Sequence, residues 1–160
     1  MYIISFDLSL NSTGYSVFTT RGKFVKNGTI DTNHEKSIQL KLKIIGNEII
    51  KIKKEYKPLF IIVEKGFSRF HDVTQKLFMV HGLIKYLFYD VEQIYITSKS
   101  VRKIICGNGN IKKEDFFMFI KENNKKIKFK NNDEADSYAL GKAYFMQEKE
   151  KQWVAQHSKK

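Results

Sequence analysis

The chain has 160 residues, one ordinary domain's worth, and 42% of them are hydrophobic, with thirteen Phe and eight Tyr; that content supports a proper core and excludes a disordered chain. Lys and Arg number 29 against 17 Asp and Glu, a formal charge of +12, which favours a polyanionic partner, nucleic acid ahead of an anionic membrane surface. Cys106 is the only cysteine, so an internal disulfide and a thiolate zinc cluster are both excluded. No apolar run approaches the ~18 residues of a membrane span, and the start has no basic n-region. A soluble, cytoplasmic protein is expected, in the host cytoplasm if a phage encodes it.

Tyr2 to Asp7 is a short apolar run of strand type that ends in an acid. Thr13 to Thr20 is rich in β-branched and aromatic residues, Arg21-Gly22 signals a turn, and Lys23 to Ile30 reads as a third strand. The chain therefore opens with an antiparallel meander. From about Asn33 to Lys57 the apolar residues Ile38, Leu42, Ile45, Ile49 and Ile52 recur at helical steps, and Pro58 ends the helix. Leu59 to Val63, followed by Glu64, suits a parallel strand buried on both faces. Asp72 to Tyr89 reads as a helix, Gln93 to Thr97 as a strand and Ser98 to Ile105 as a helix. Lys112 to Lys121 and Asp133 to Lys149 form two more helices. Residues 1–150 make one domain, and 151–160 a polar, basic, frayed tail. This order predicts an α/β fold, a mixed sheet with helices on both faces.

Four acids stand out by position. Asp7 ends the first strand, Glu64 follows the fourth, and Asp133 and Asp136 share one face at the start of the last helix. If the first and fourth strands are neighbours, Asp7 and Glu64 lie at one sheet edge, and the last helix can complete a cluster there. Phosphodiester hydrolysis needs such a cluster: two Mg²⁺ ions about 4 Å apart, held by hard oxygen ligands, activate water and neutralise the phosphate. Each acid also has an ordinary structural explanation, Asp7 as a turn residue and Asp133 as a helix cap. The conjunction is more specific than any one member.

These segments resemble a known family. FDLSLNSTGYSVF (Phe6 to Phe18), IIVEKGF (Ile61 to Phe67), VRKIICGNGNIKKED (Val101 to Asp115) and NNDEADSYALGKAY (Asn131 to Tyr144) are similar, in order and spacing, to the motifs of RuvC Holliday junction resolvases. The resemblance implies an RNase H-like mixed five-stranded sheet, a three-strand meander plus parallel strands. It implies Asp7, Glu64, Asp133 and Asp136 as catalytic ligands of Mg²⁺, two ions per site, with Mn²⁺ as a substitute. It assigns DNA contacts to Arg102 and Lys113, and to Phe67 an aromatic that stacks at the opened crossover; Lys103 and Lys112 beside them are expected to contact DNA as well. It implies a homodimer, paired through the helix at 72–89, that nicks two strands of a four-way junction symmetrically to leave 5′-phosphates. The chain departs from the family in one place: Leu8 and Ser9 stand where a Pro-Gly pair is usual.

Other readings stay open at this point. The same acids serve an RNase H-like nuclease acting on flaps, forks or RNA. Asp7 with Ser9, Ser12, Thr13 and Gly14 loosely imitates the phosphate turn of an actin-like ATPase, but such enzymes need two domains. An inactive DNA-binding module is a third class, against which acids on a DNA-facing surface argue, because they weaken binding unless cations occupy them. Lys112, Lys113, Lys125, Lys126, Lys128 and Lys130 either bind phosphates or form a solvated face. His81 falls on an apolar helix face, where a satisfied core histidine is the usual finding.

Overall fold

The computed structural model describes residues 1–66 and 71–157. Three strands open the chain, β1 (Tyr2–Asp7), β2 (Ser12–Thr19) and β3 (Phe24–Asp31). There follow α1 (Ile38–Tyr56), β4 (Phe60–Glu64), α2 (His71–Leu87), β5 (Glu92–Ile96), α3 (Ser98–Cys106), α4 (Lys113–Asn123) and α5 (Asn132–His157). The sheet order is β3-β2-β1-β4-β5. β1 pairs antiparallel with β2 and parallel with β4, so the central strand joins the meander to the parallel half. The expected adjacency of the first and fourth strands is therefore present.

Side chains alternate across each strand and so divide the core in two. Ile4, Phe6, Ile61 and Val63 face α1 and α2, against Ile45, Ile49, Val80, Ile84 and Phe88. Ile3, Phe18 and Ile62 face the other helices, against Val101, Phe116, Ile120, Tyr138 and Ala139. Each such fully buried side chain contributes about 1.5–3 kcal/mol. By the same alternation Asp7, in step with Ile3 and Ser5, and Glu64, in step with Ile62, belong to the α5 face.

The helix ends obey local chemistry. Ser37 caps α1 by accepting from the Leu40 amide, and Thr97 caps α3 by accepting from that of Ser100. The periodicity suggests an α1 start near Asn33, but residues 33–36 are not helical. Asp31 accepts the Asn33 amide and Glu35 accepts those of Lys36 and Ser37, so side chains hold a turn there instead. α5 runs on to His157, past the expected end at Lys149. Residues 151–157 are thus helical rather than irregular. Strong helix formers there and a Glu148–Lys151 pair one turn apart carry the helix on.

Candidate active site

α5 lies on β1 and β2 through small and hydroxylated residues. The Ser5 hydroxyl donates to the Ser137 carbonyl at 2.7 Å, and the Ser16 and Ser137 hydroxyls meet at 2.9 Å. Gly14 is the point of closest approach. A Cβ there would lie 2.0 Å from the carbonyl oxygen of Asp133, so only glycine lets the start of α5 settle this deeply. Gly14 is also the antiparallel partner of Asp7. The first turn of α5, with Asp133 and Asp136, is thereby set beside the end of β1.

Glu64 comes to the same place at the end of β4, next to β1. Asp7, Glu64 and Asp136 feel one another strongly. Burial, then the charges of Glu64 and Asp136, hold the Asp7 carboxyl well above the usual carboxylate range. Burial and Asp136 push Glu64 up to about 7, against the pull of Arg102, Lys113 and a hydrogen bond from Ser98. Burial also raises Asp136, against Lys113 and Arg102. Anions do not gather in a half-buried corner for stability, because burial and repulsion both oppose their charge. Such a corner has reason to exist when a cation shares it.

Lysine supplies one such cation. Lys113 Nζ lies 3.3 Å from Asp136 Oδ2, and it also acts on Asp7 and Asp133. The Ser12 hydroxyl donates to Asp133 Oδ2. Among the described residues, no three His, Cys, Asp or Glu side chains stand close enough together to grip one ion as they are now oriented. Asp133 and Asp136 are engaged by Ser12 and Lys113 instead. The donor set nevertheless fits a hard divalent cation: four carboxylates, all oxygen, with more negative charge than one ammonium offsets.

The other expected contacts divide. Arg102 is pinned to the fold, donating from Nη1 to the Ile111 carbonyl at 3.1 Å and lying 5.7 Å from the Phe116 ring centre. Its charge reaches Glu64 and Asp136. Lys112 precedes α4 and Lys103 sits on α3, both exposed. Phe67 lies outside the described residues. Ser12, Gly14 and Ser98 were not read from the sequence as parts of this site. Ser12 and Gly14 drew notice only as a possible phosphate turn, and Ser98 only as a helix start.

A family model described as "Crossover junction endodeoxyribonuclease RuvC" matches residues 3–143. The chain belongs to the RuvC family. Similar proteins include the crossover junction endodeoxyribonuclease RuvC of Rickettsia conorii, 29% identical over 147 residues, covering 88% of this chain and 94% of that one. The RuvC of Ehrlichia ruminantium (strain Gardel) is 32% identical over 129 residues, covering 75% and 81%. Among solved structures, Thermus thermophilus RuvC in complex with a Holliday junction substrate superposes with a TM-score of 0.79 at 15% identity, covering 94% of this chain and 96% of that one. Fowlpox virus resolvase, solved with Holliday junction DNA, gives 0.56 at 19% identity, covering 92% and 98%. These likenesses show the fold, which is RNase H-like as expected. All four acids fall within the matched residues 3–143 of the RuvC family model.

Proposed function

We propose that this chain is a Mg²⁺-dependent endonuclease that resolves four-way DNA junctions by paired symmetric nicks. One observation carries the reading. Asp7, Glu64 and Asp136, from three separate elements, meet at one sheet edge, where burial raises all three carboxyls and the neighbouring charges raise Asp7 and Glu64 further. Family membership supplies the reaction class, for RuvC nucleases are metal-dependent endodeoxyribonucleases.

Asp7, Glu64, Asp133 and Asp136 would hold two Mg²⁺ ions. When bound, those ions supply charge neutralisation at the phosphate and an acidified water. The rest falls to the chain's own groups. Ser12 orients Asp133 and Ser98 orients Glu64. Lys113, held at the acids by Asp136, would bind the scissile phosphate. Arg102, locked by Ile111 and Phe116, adds positive potential to the same corner without moving. Lys103 and Lys112 contact the flanking backbone, and Phe67 stacks on an unpaired base, typically worth about 1–3 kcal/mol.

Symmetric nicking needs two sites, hence a homodimer. α2 supports one: Phe78, Met79 and Tyr86 are exposed on it, while Val80, Ile84 and the neighbouring Phe88 are buried against the sheet. An apolar stripe left over after the core is satisfied fits a second copy of the chain.

The test is a substrate panel: a synthetic four-way junction, a linear duplex, a flap and an RNA–DNA hybrid, each with and without Mg²⁺. Paired symmetric nicks confined to the junction and lost in EDTA are expected. Preferential cutting of flaps or hybrids would move the function to another branched substrate. Tight binding with no cleavage of any of them would leave an inert DNA-binding module.

A further inference from the structure

We propose that the cavity between the β1–β2 loop and the start of α1 clamps one backbone phosphate of the cleaved DNA strand, on the opposite side of the acids from Lys113. The inference rests on reading the acid cluster as a junction nuclease's. The cavity measures about 500 Å³. Its floor is apolar, with Leu8 and Leu10 buried among side chains of α1 and α2. Its polar groups are Ser9, Asn11, Lys36, Lys41 and Lys76, and no acid is among the residues that line it.

These groups are donors. The Ser9 hydroxyl accepts the Asn11 amide, and among the described residues its own proton finds no acceptor. Asn11 Oδ1 accepts the Lys41 ammonium. An ammonium can only donate, so the side-chain amide is oriented with its NH₂ left to give. Lys36 and Lys76 are exposed, and among the described residues neither is ion-paired. Asp31 and Glu35 reach Lys41 electrostatically, but both already accept backbone amides of the turn before α1. Ile38, the first residue of α1, also lines the cavity. The positive end of that helix dipole therefore lies here, with no acid in the first turn to offset it. Donors alone, with three positive charges among them, select an anion of several acceptor oxygens, which a phosphate is.

Surface lysines usually make a solvated face. Here they converge from three places, the turn before α1, α1 itself and α2, on a loop that is already fixed. The Thr13 hydroxyl donates to the Ser9 carbonyl at 2.7 Å and accepts the Ser9 amide at 3.2 Å. The Thr32 amide donates to the Asn11 carbonyl at 2.9 Å. A donor set held in place before the ligand arrives loses little freedom on binding it. Ser9 stands where the family usually has glycine, so its hydroxyl is a feature of this chain.

The position is also apt. Ser9 is two residues past Asp7, so their Cα atoms are at most about 7 Å apart, the scale of one backbone step in a DNA strand. Leu8 and Leu10 pack with α1 and α2. Arg102 and Lys113 come from α3 and α4, whose Val101 and Phe116 pack on the other face of the sheet. Cations thus flank the acids on both faces. A strand laid across the acids with its scissile phosphate at Lys113 brings a neighbouring phosphate to the cavity, and the clamp then fixes which linkage meets the acids.

The experiment measures junction affinity of Asp7→Asn protein, which should bind without cutting. The ligands are four-way junctions that each carry a single uncharged methylphosphonate linkage, moved stepwise along the cleaved strand. One linkage beside the scissile one should weaken binding about tenfold. Adding Lys36→Gln with Lys76→Gln, or Ser9→Gly alone, should shrink the penalty at that linkage and leave the penalties at other linkages as they were. The two lysines are exposed, so their loss does not disturb the fold. An unchanged penalty at every linkage in both variants would overturn the proposal and leave the nuclease reading intact. Equal weakening at all linkages would do the same, because it marks a diffuse field and no clamp. Binding of inorganic phosphate, read by calorimetry and lost in the variants, with no linkage affected, would assign the cavity to a free anion and also overturn it. Failure of the Asp7→Asn protein to bind any junction would remove the nuclease reading and this proposal together.

Discussion

Gly14→Ala tests how the site is assembled. The added Cβ would lie 2.0 Å from the Asp133 carbonyl oxygen and 2.5 Å from its carbon. Both are backbone atoms, so no side-chain rotation relieves the clash. Real contacts of this kind essentially never fall below 3.0 Å, so the start of α5 must move by about 1 Å. Overpacking of this sort costs about 1–3 kcal/mol, which a chain with two buried core clusters can absorb. Asp133 and Asp136 travel with the helix end, whereas Asp7 and Glu64 stay on their strands. A misplacement of about 1 Å typically costs on the order of 100-fold in rate. The assay is single-turnover cleavage of a four-way junction at saturating protein, with thermal melting and junction affinity measured alongside. The expected result is a folded variant with near-normal affinity, a rate down about 100-fold, and a raised Mg²⁺ requirement. A Gly14→Ala protein with a normal rate and an unchanged Mg²⁺ requirement would refute the argument that this contact positions the acids.

The metal-free protein should lose stability as pH rises, the reverse of the common pattern. Glu64 titrates near 4.5 when unfolded and at about 7 when folded, so between these values the folded state holds a proton that the unfolded state has released. Its contribution is fully present below about 4.5 and lost as pH passes 7, by no more than about 3 kcal/mol; Asp7 and Asp136 act in the same direction. Melting in EDTA from pH 5 to 8 should show the decline, Mg²⁺ should flatten it, and Glu64→Gln should shrink it. Lys126, Lys128 and Lys130 are exposed while Ile127 and Phe129 between them are tucked in, and Asn27 and Glu134 fasten the loop at Lys128 O and Lys130 N. If this fixed comb binds phosphates, changing all three to Gln should reduce the slope of log K against log salt by about 3. Removal of Lys113 should flatten the same slope by about 1 and slow cleavage as well, which loss of the comb should not.

Much of this architecture was legible because periodicity reports which face is buried. Short apolar runs such as Tyr2 to Asp7 and Leu59 to Val63 located strands, and the helical steps of the α1 isoleucines located the first helix, to within a few residues. Glu64 stood out because an acid directly after three apolar residues has a burial cost to explain. What stayed hidden depends on contacts between residues distant in sequence. Nothing in the chain's local pattern says that Gly14 meets the Asp133 backbone, or that Ser12 bonds Asp133 across 121 positions. Arg102 stood as a DNA contact only through the family resemblance, and its hold on Ile111 and Phe116 is not visible in sequence. His81 was correctly placed inside, yet whether a buried nitrogen finds a partner is a question only coordinates answer. The start of α1 was missed because Asp31 and Glu35 compete for the backbone amides that a helix would otherwise use.

Asp7→Asn, compared with the wild type in paired cleavage and binding assays on one four-way junction, tests the central claim most directly. The four-carboxylate account predicts that cleavage falls below detection at any Mg²⁺ concentration. Junction affinity should be kept or improved, because a negative charge near the phosphates has been removed. Cleavage that survives the substitution would contradict the account, and loss of binding together with cleavage would make Asp7 a residue of folding instead.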